Sequence, residues 1–150
     1  MQDTEQTKQH LHKLLASQKL AVLSTNDRGQ AYANLIGFAV TGDLKFLLFS
    51  TNRQTRKYQN IMRNNSVALL IDNRSVVDKD FQNTMAVTVT GAAEEVPLLE
   101  REKWLKLYLA KHPHMTDFAN APDCALIRVR AEWYYLVSKF QQVAALPMDV

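Results

Sequence analysis

The chain has 150 residues, 47% of them hydrophobic and 22% charged, which indicates one globular domain with a real core over residues 1–150. No apolar run approaches the roughly 20 residues that a membrane-spanning helix needs. The net charge of +3 fits a small anionic ligand better than a nucleic acid, because nucleic-acid surfaces carry denser clusters of lysine and arginine.

Hydrophobic periodicity and turn signals predict strands that follow one another as hairpins. A first amphipathic helix ends near residue 19, and further helices are expected at 51–64 and 98–111. The predicted strands lie at 20–25, 30–40, 44–50, 67–72 and 85–96, with closing β-rich segments at 124–130 and 133–137. Polar loops are expected at 73–83 and 114–123. Hairpin-connected strands favour an antiparallel barrel or an α+β sheet over a parallel sheet.

The residues at 50–57 (Ser-Thr-Asn-Arg-Gln-Thr-Arg-Lys) stand between the third predicted strand and the second predicted helix. A helix start presents unpaired N–H groups and the positive end of its dipole, which together attract anions. Thr55 adds a hydroxyl, Arg56 can grip two phosphate oxygens at once, and Lys57 adds a point charge. The segment therefore predicts a phosphate-binding site.

This order of elements, with the Thr-Asn-x-x-Thr-Arg-Lys segment at 51–57, resembles the pyridoxamine 5′-phosphate oxidase-like family. The resemblance covers roughly residues 10–142 and is strongest from 29 to 72, where 29–32 (Gly-Gln-Ala-Tyr) and 65–70 (Asn-Ser-Val-Ala-Leu-Leu) also match the family pattern. Members of this family are FMN-binding split β-barrels, usually homodimers with two flavins at the subunit interface. The resemblance therefore implies a mainly β, six-stranded antiparallel split barrel with flanking helices, FMN as cofactor, and a homodimer.

The same resemblance implies a set of cofactor contacts. Thr55, Arg56 and Lys57 would hold the FMN phosphate, and Ser50 and Thr51 would lie near the ribityl chain or the edge of the ring. The remaining implied contacts are Asn34, Leu35 and Ile36 along the isoalloxazine ring and, from the second subunit, Asn83, Thr84, Tyr135, Phe140 and Gln141.

The departures from the family pattern concern the substrate. True pyridoxamine-phosphate oxidases carry an arginine at the position of Asn34, a lysine at that of Ala39 and a glutamine at that of Ala86, and their C-terminal basic run has no counterpart after Trp133. A second phosphate would have few cations to hold it here. The resemblance therefore implies the flavin more strongly than it implies vitamin B6 chemistry.

A related branch of the family degrades haem with the same barrel and a histidine-bearing C-terminal segment. No histidine follows His114 in this chain, so an axial haem ligand from such a segment is not available. The histidines are also badly spaced for a metal: His10 and His12 point to different faces of a helix, and no acid or cysteine completes a tetrahedral site.

The prediction that follows is an FMN-binding oxidoreductase acting on an unknown small molecule. The alternative is a non-enzymatic flavin carrier or sensor, or the same barrel holding haem or a deazaflavin. The sequence leaves the electron donor open between NADH, NADPH and F420. A cytoplasmic location is expected, because the lone Cys124 excludes an internal disulfide and the polar N-terminus shows no signal peptide; neither nucleic acid nor membrane is an expected partner.

Overall fold

The computed structural model describes residues 4–74, 84–138 and 142–148. In these ranges eight strands form one antiparallel sheet with the order β2-β1-β5-β6-β7-β4-β3, and β8 pairs with β7. The strands are β1 (Leu20–Asp27), β2 (Gln30–Gly37), β3 (Ala39–Val40), β4 (Phe46–Asn52), β5 (Ser66–Asp72), β6 (Ala86–Glu95), β7 (Cys124–Ser138) and β8 (Gln142–Pro147).

Four α-helices flank the sheet in the described ranges: α1 (Thr4–Ser17), α2 (Arg56–Arg63), α3 (Arg101–Lys111) and α4 (Thr116–Ala119). A 3₁₀ turn at Leu98–Glu100 precedes α3, and a second one at Pro113–Met115 precedes α4. The loop predicted at 114–123 is therefore partly helical. Most of the loop predicted at 73–83 lies outside the described residues.

The predicted antiparallel sheet with flanking helices is confirmed, but the predicted number of six strands is wrong. The strand expected at 30–40 divides at Phe38, because β2 pairs with β1 whereas β3 pairs with β4. The two closing segments form one continuous strand, β7. The extra strand β8 contains two alanines and a proline and carries little intrinsic strand signal. Pairing with β7 is what makes it a strand.

The second helix begins later than predicted. Thr51 and Asn52 remain in β4, where they pair with Ala125 and Cys124 of β7. Ladder hydrogen bonds to β7 therefore override the helical reading of these two residues. The shift makes α2 eight residues long and leaves a short turn, 53–55, between strand and helix.

The main core lies on one face of the sheet, where α1 packs with Leu11, Leu14 and Leu15 against residues such as Leu23 and Leu69. A smaller core lies under α3 on the far side of β4. At Gly91 a β-bulge interrupts the pairing of β6 with β7. An added Cβ at Gly91 would meet the Arg130 carbonyl oxygen, so only glycine allows the two strands to approach this closely.

The opposite face of the sheet is covered by α3 at β3 and β4; the rest of it, called the outer face here, is open and partly apolar. One cross-strand row runs through Leu35, Val22, Leu70, Thr88 and Tyr135. Leu35 is 64% exposed and Leu70 40% exposed. Three more exposed apolar residues lie on the β7 and β8 part of this face: Trp133, Val137 and Val143.

Candidate functional site

The turn between β4 and α2 ends at a capped helix N-terminus. Thr55 is the N-cap: its backbone is extended (φ −75°, ψ 154°), and its hydroxyl accepts a hydrogen bond from the Tyr58 N–H at 3.4 Å. The first turn of a helix keeps N–H groups without intrahelical acceptors and carries the positive end of the dipole. The predicted phosphate position is thus next to groups that attract an anion.

Side-chain hydrogen bonds hold this turn in one conformation. Thr55 Oγ1 donates to the Asn52 carbonyl at 2.8 Å and lies 2.9 Å from Thr51 Oγ1. Asn52 in turn accepts the Gln54 N–H at 2.7 Å and donates its amide to Asp123 at 2.7 Å. Since Thr51 is only 1% exposed, its hydroxyl supports Thr55 from the core side.

Three cations surround the turn, and one of them is neutralised. The Arg53 guanidinium forms an ion pair with Glu95 at 2.6 Å and donates to the Pro122 carbonyl at 3.0 Å. The hydrogen bond with Glu95 raises the pKa of Arg53, and the same bond lowers the pKa of the Glu95 carboxyl. The Arg53 guanidinium is therefore occupied by contacts within the protein.

Arg56 and Lys57 have no carboxylate partner in the described part of the chain. The exposed Arg56 guanidinium lies 5.4 Å from the centroid of the Tyr32 ring, a cation–π contact that leaves its N–H donors uncommitted. Lys57 is partly buried, and this burial lowers its pKa. A bound anion would favour the charged ammonium, so both side chains fit a phosphate.

A buried acceptor on β2 is also without a partner among the described residues. Tyr32, Asn34 and Ile36 alternate onto the face of β2 that lies opposite core residues of β1, and Asn34 Oδ1 is buried with no hydrogen bond. An unsatisfied buried carbonyl costs about 1–3 kcal/mol. Tyr32, two residues before Asn34 on the same face of β2, lies against the Arg56 guanidinium.

The other predicted contacts are placed on separate surfaces. Ile36 is 5% exposed and packs in the main core, whereas Leu35 points to the outer face. The Ser50 hydroxyl donates to Tyr108 Oη at 3.1 Å and faces α3. Tyr135 lies on the outer face, stacked on Trp133 at 5.7 Å.

Some predicted contacts have no described surroundings. Thr84 precedes β6 and is partly buried. Asn83, Phe140 and Gln141 lie outside the described residues. The structure therefore groups Thr51, Thr55, Arg56 and Lys57 at the turn, and it places Leu35 and Tyr135 in one row of the outer face.

Three residues that sequence reasoning did not select belong to this site. Tyr32 lies under Arg56, and Tyr58 donates its hydroxyl to Glu95 at 2.7 Å. Both tyrosines could have been selected from the sequence, because Tyr32 lies near the start of a predicted strand and Tyr58 directly follows the Arg-Lys pair. No such signal marks Glu95, because it is 37 residues from Tyr58 in sequence.

The sequence matches the family model described as pyridoxamine 5′-phosphate oxidase over residues 7–138. This chain belongs to that family, and its fold is the predicted split β-barrel. Among curated proteins, no sequence is significantly similar to the chain.

Solved structures share the fold at low sequence identity. A Clostridium acetobutylicum protein related to general stress protein 26 has a TM-score of 0.74 at 19% identity, with 97% of each chain covered. A FAD-binding protein from Mesorhizobium loti has a TM-score of 0.70 at 17% identity, covering 85% of this chain and 91% of that one. A heme binding protein from Mycobacterium smegmatis has a TM-score of 0.85 at 14% identity. This chain is covered to 98% and spans 59% of the Mycobacterium chain.

Among the described residues, no helix combines the length and apolar character needed to cross a membrane. Within 4–74, 84–138 and 142–148, no three histidine, cysteine, aspartate or glutamate side chains converge as metal ligands.

Proposed function

We propose that this protein binds FMN non-covalently at the turn between β4 and α2, and that it acts through the flavin as an oxidoreductase on a small molecule. The observation that carries the proposal is the pair Arg56 and Lys57. Both are cations at a capped helix N-terminus, and neither has a carboxylate partner in the described residues. A terminal dianionic phosphate matches that charge, and FMN ends in one.

The chain's own residues would divide the work of binding. Thr55, Arg56 and Lys57 would hold the phosphate, and Asn34 would accept a hydrogen bond from the polar edge of the ring. The proposed ring and edge contacts are Leu35 and Ile36, through their backbone groups, and Ser50 and Thr51, with Asn83, Thr84, Tyr135, Phe140 and Gln141 from the second subunit. When bound, the flavin would supply hydride or electron transfer, while the protein supplies binding and orientation.

The substrate is proposed to differ from pyridoxamine phosphate. Ala39 is 2% exposed in the core under α3, and a small buried side chain there cannot reach a substrate phosphate. Asn34 carries no charge. The FAD-binding relative supports a flavin as the ligand of this barrel. The choice of FMN rests on Arg56 and Lys57, whose two charges match one terminal phosphate.

The proposed assembly is a homodimer formed through the outer face. This face exposes Leu35, Leu70, Trp133, Val137 and Val143, and contiguous apolar surface of this kind marks interaction sites. A second copy would cover these side chains and bring Tyr135 to the partner's cofactor. The proposed location is the cytoplasm.

The test is the absorption spectrum of the purified protein, followed by mass identification of the released cofactor. Flavin bands and released FMN are expected. Released FAD would contradict the choice of FMN, a Soret band would indicate haem instead, and a protein that takes up neither flavin nor haem would refute both ligands. If FMN is bound but NADH, NADPH and reduced F420 give no turnover above free FMN, the protein is a flavin carrier or sensor and not an enzyme.

A further inference from the structure

Glu95, at the end of β6, makes contacts with the residues on both sides of the Thr55 cap. Its Oε1 accepts the Tyr58 hydroxyl at 2.7 Å, and its Oε2 forms the 2.6 Å ion pair with Arg53 Nη2. The Arg53 Nε also approaches Oε1 at 3.4 Å. Arg53 stands before the cap, and Tyr58 stands in the first turn of the helix.

The helix depends on such contacts for its position. An isolated helix of eight residues is not stable in water, so tertiary contacts must hold it in place. Toward its C-terminal end, Ile61 is buried in the core, and the Asn60 amide donates to Thr25 at 3.0 Å. In the first turn, which presents Arg56 and Lys57, Arg56 contacts the Tyr32 ring of β2, and the described side-chain hydrogen bond to the sheet is that of Tyr58 with Glu95.

We propose that Glu95 is a positioning residue for the phosphate clamp, acting through Tyr58 and Arg53. Its carboxylate fixes the helix N-terminus against β6, so that Arg56 and Lys57 stand ready around one phosphate. The inference rests on the proposed flavin site and adds a residue to it that does not touch the phosphate.

Comparison of FMN with riboflavin tests this role, because riboflavin has the same ring and lacks the phosphate. The affinities of both flavins are measured by fluorescence titration for the wild type, Tyr58→Phe and Glu95→Gln. Tyr58→Phe removes the hydrogen bond without changing charge, so FMN affinity should fall about 3- to 10-fold. Glu95→Gln should lower it at least as much, and riboflavin affinity should change less than twofold in both variants.

Glu94→Gln is the matched control. Glu94 is the neighbouring acid on β6, and it pairs with Arg128 on the other side of the strand. The same neutralisation of charge one residue away should leave both affinities within twofold of the wild type. An equal effect of the Glu94 and Glu95 variants on FMN would overturn the inference, because it would show a general electrostatic effect.

The remaining outcomes separate this inference from the proposed function. If the wild type binds neither flavin, the proposed function fails, and the clamp with it. If the wild type prefers FMN to riboflavin but both Tyr58→Phe and Glu95→Gln bind FMN like the wild type, the positioning role alone is refuted. An equal loss of affinity for FMN and riboflavin would refute it as well, because the variant would then have damaged the site as a whole.

Discussion

At the scale of single residues, the cations near the β4–α2 turn differ in what they are free to do. Arg53 is held by Glu95 and the Pro122 carbonyl, whereas Arg56 touches the face of Tyr32. A charge-assisted pair such as Arg53–Glu95 leaves little capacity for a further anion. Arg56 keeps its N–H donors for a ligand.

Replacing Arg56 tests the clamp directly. Arg56→Ala should lose a charge-assisted phosphate contact worth roughly 1.5–3 kcal/mol, which is about a 10- to 150-fold loss of FMN affinity. Arg56→Lys should recover only part of it, because an ammonium cannot bind two oxygens side by side. Titration of the apoprotein with FMN measures both.

Arg63 is the control on the same helix. It lies in the last turn, pairs with Asp27 at 3.2 Å, and stands at the negative end of the dipole, where an anion is not favoured. Arg63→Ala should therefore leave FMN affinity within twofold. A change below twofold for Arg56→Ala as well would show that the phosphate lies elsewhere.

At the scale of elements, the register of β6 with β7 shifts at Gly91, opposite one extra residue of β7. A Cβ in Gly91→Ala would meet the Arg130 carbonyl oxygen and lie 2.9 Å from Val129 Cγ1. Backbone must move to relieve this, so the variant should lose about 1–3 kcal/mol of unfolding free energy. Urea denaturation measures the loss.

Gly42→Ala is the corresponding control, because a Cβ there would meet no atom within 4 Å. Its free energy of unfolding should stay within about 0.5 kcal/mol of the wild type. Equal stability of the two variants would mean that β6 and β7 can separate at the bulge without cost.

The link between β6 and α2 should also make stability depend on pH. Hydrogen bonding from Arg53, opposed in part by burial, lowers the pKa of Glu95 below its ordinary 4.5. A carboxyl whose pKa is lower in the folded than in the unfolded state stabilises the folded protein at pH values above its unfolded-state pKa. This stabilisation is lost as the pH falls through the pKa of the folded state. The contribution of Glu95 should therefore decrease below about pH 4.5.

Urea denaturation of wild type and Glu95→Gln at several pH values measures this contribution. The wild type should be the more stable protein at pH 7, and the two unfolding free energies should converge in acid. If the unfolding free energies of the wild type and Glu95→Gln differ by the same amount from about pH 7 to pH 3, the Arg53–Glu95 contact is not an ion pair that stabilises the fold.

At the scale of the whole molecule, the outer face decides the state of assembly. Leu70 is 40% exposed in the middle row of that face, between Val22 and Thr88. Leu70→Glu should convert the proposed homodimer to a monomer, because a buried unpaired carboxylate is costly at an interface. Sedimentation velocity measures the mass.

Leu99→Glu is the control for this change. Leu99 is 99% exposed in the 3₁₀ turn before α3, outside the cross-strand row that contains Leu70, so its variant should sediment like the wild type. A monomeric wild type would refute the proposed dimer. A dimeric Leu70→Glu variant would place the interface on another surface.

Much of the fold was predictable because its signals are local. Hairpin turns and strand alternation between residues 20 and 72 depend on neighbours in sequence, and the family resemblance followed from the segment at 51–57. The strand count was wrong where pairing decides the outcome: Phe38 ends β2 because β3 has a different partner, and β8 is a strand because β7 lies beside it.

The sequence by itself determined the antiparallel class, the family and the candidate phosphate segment, since each depends on residues that are close along the chain. Only the tertiary structure decided which cation is free. Arg53 and Arg56 lie three residues apart in the same segment, but the path of β6 places Glu95 beside Arg53, and β2 places Tyr32 under Arg56. Ion pairing acts between residues that are close in space, and here the sheet brings together residues 42 apart in sequence.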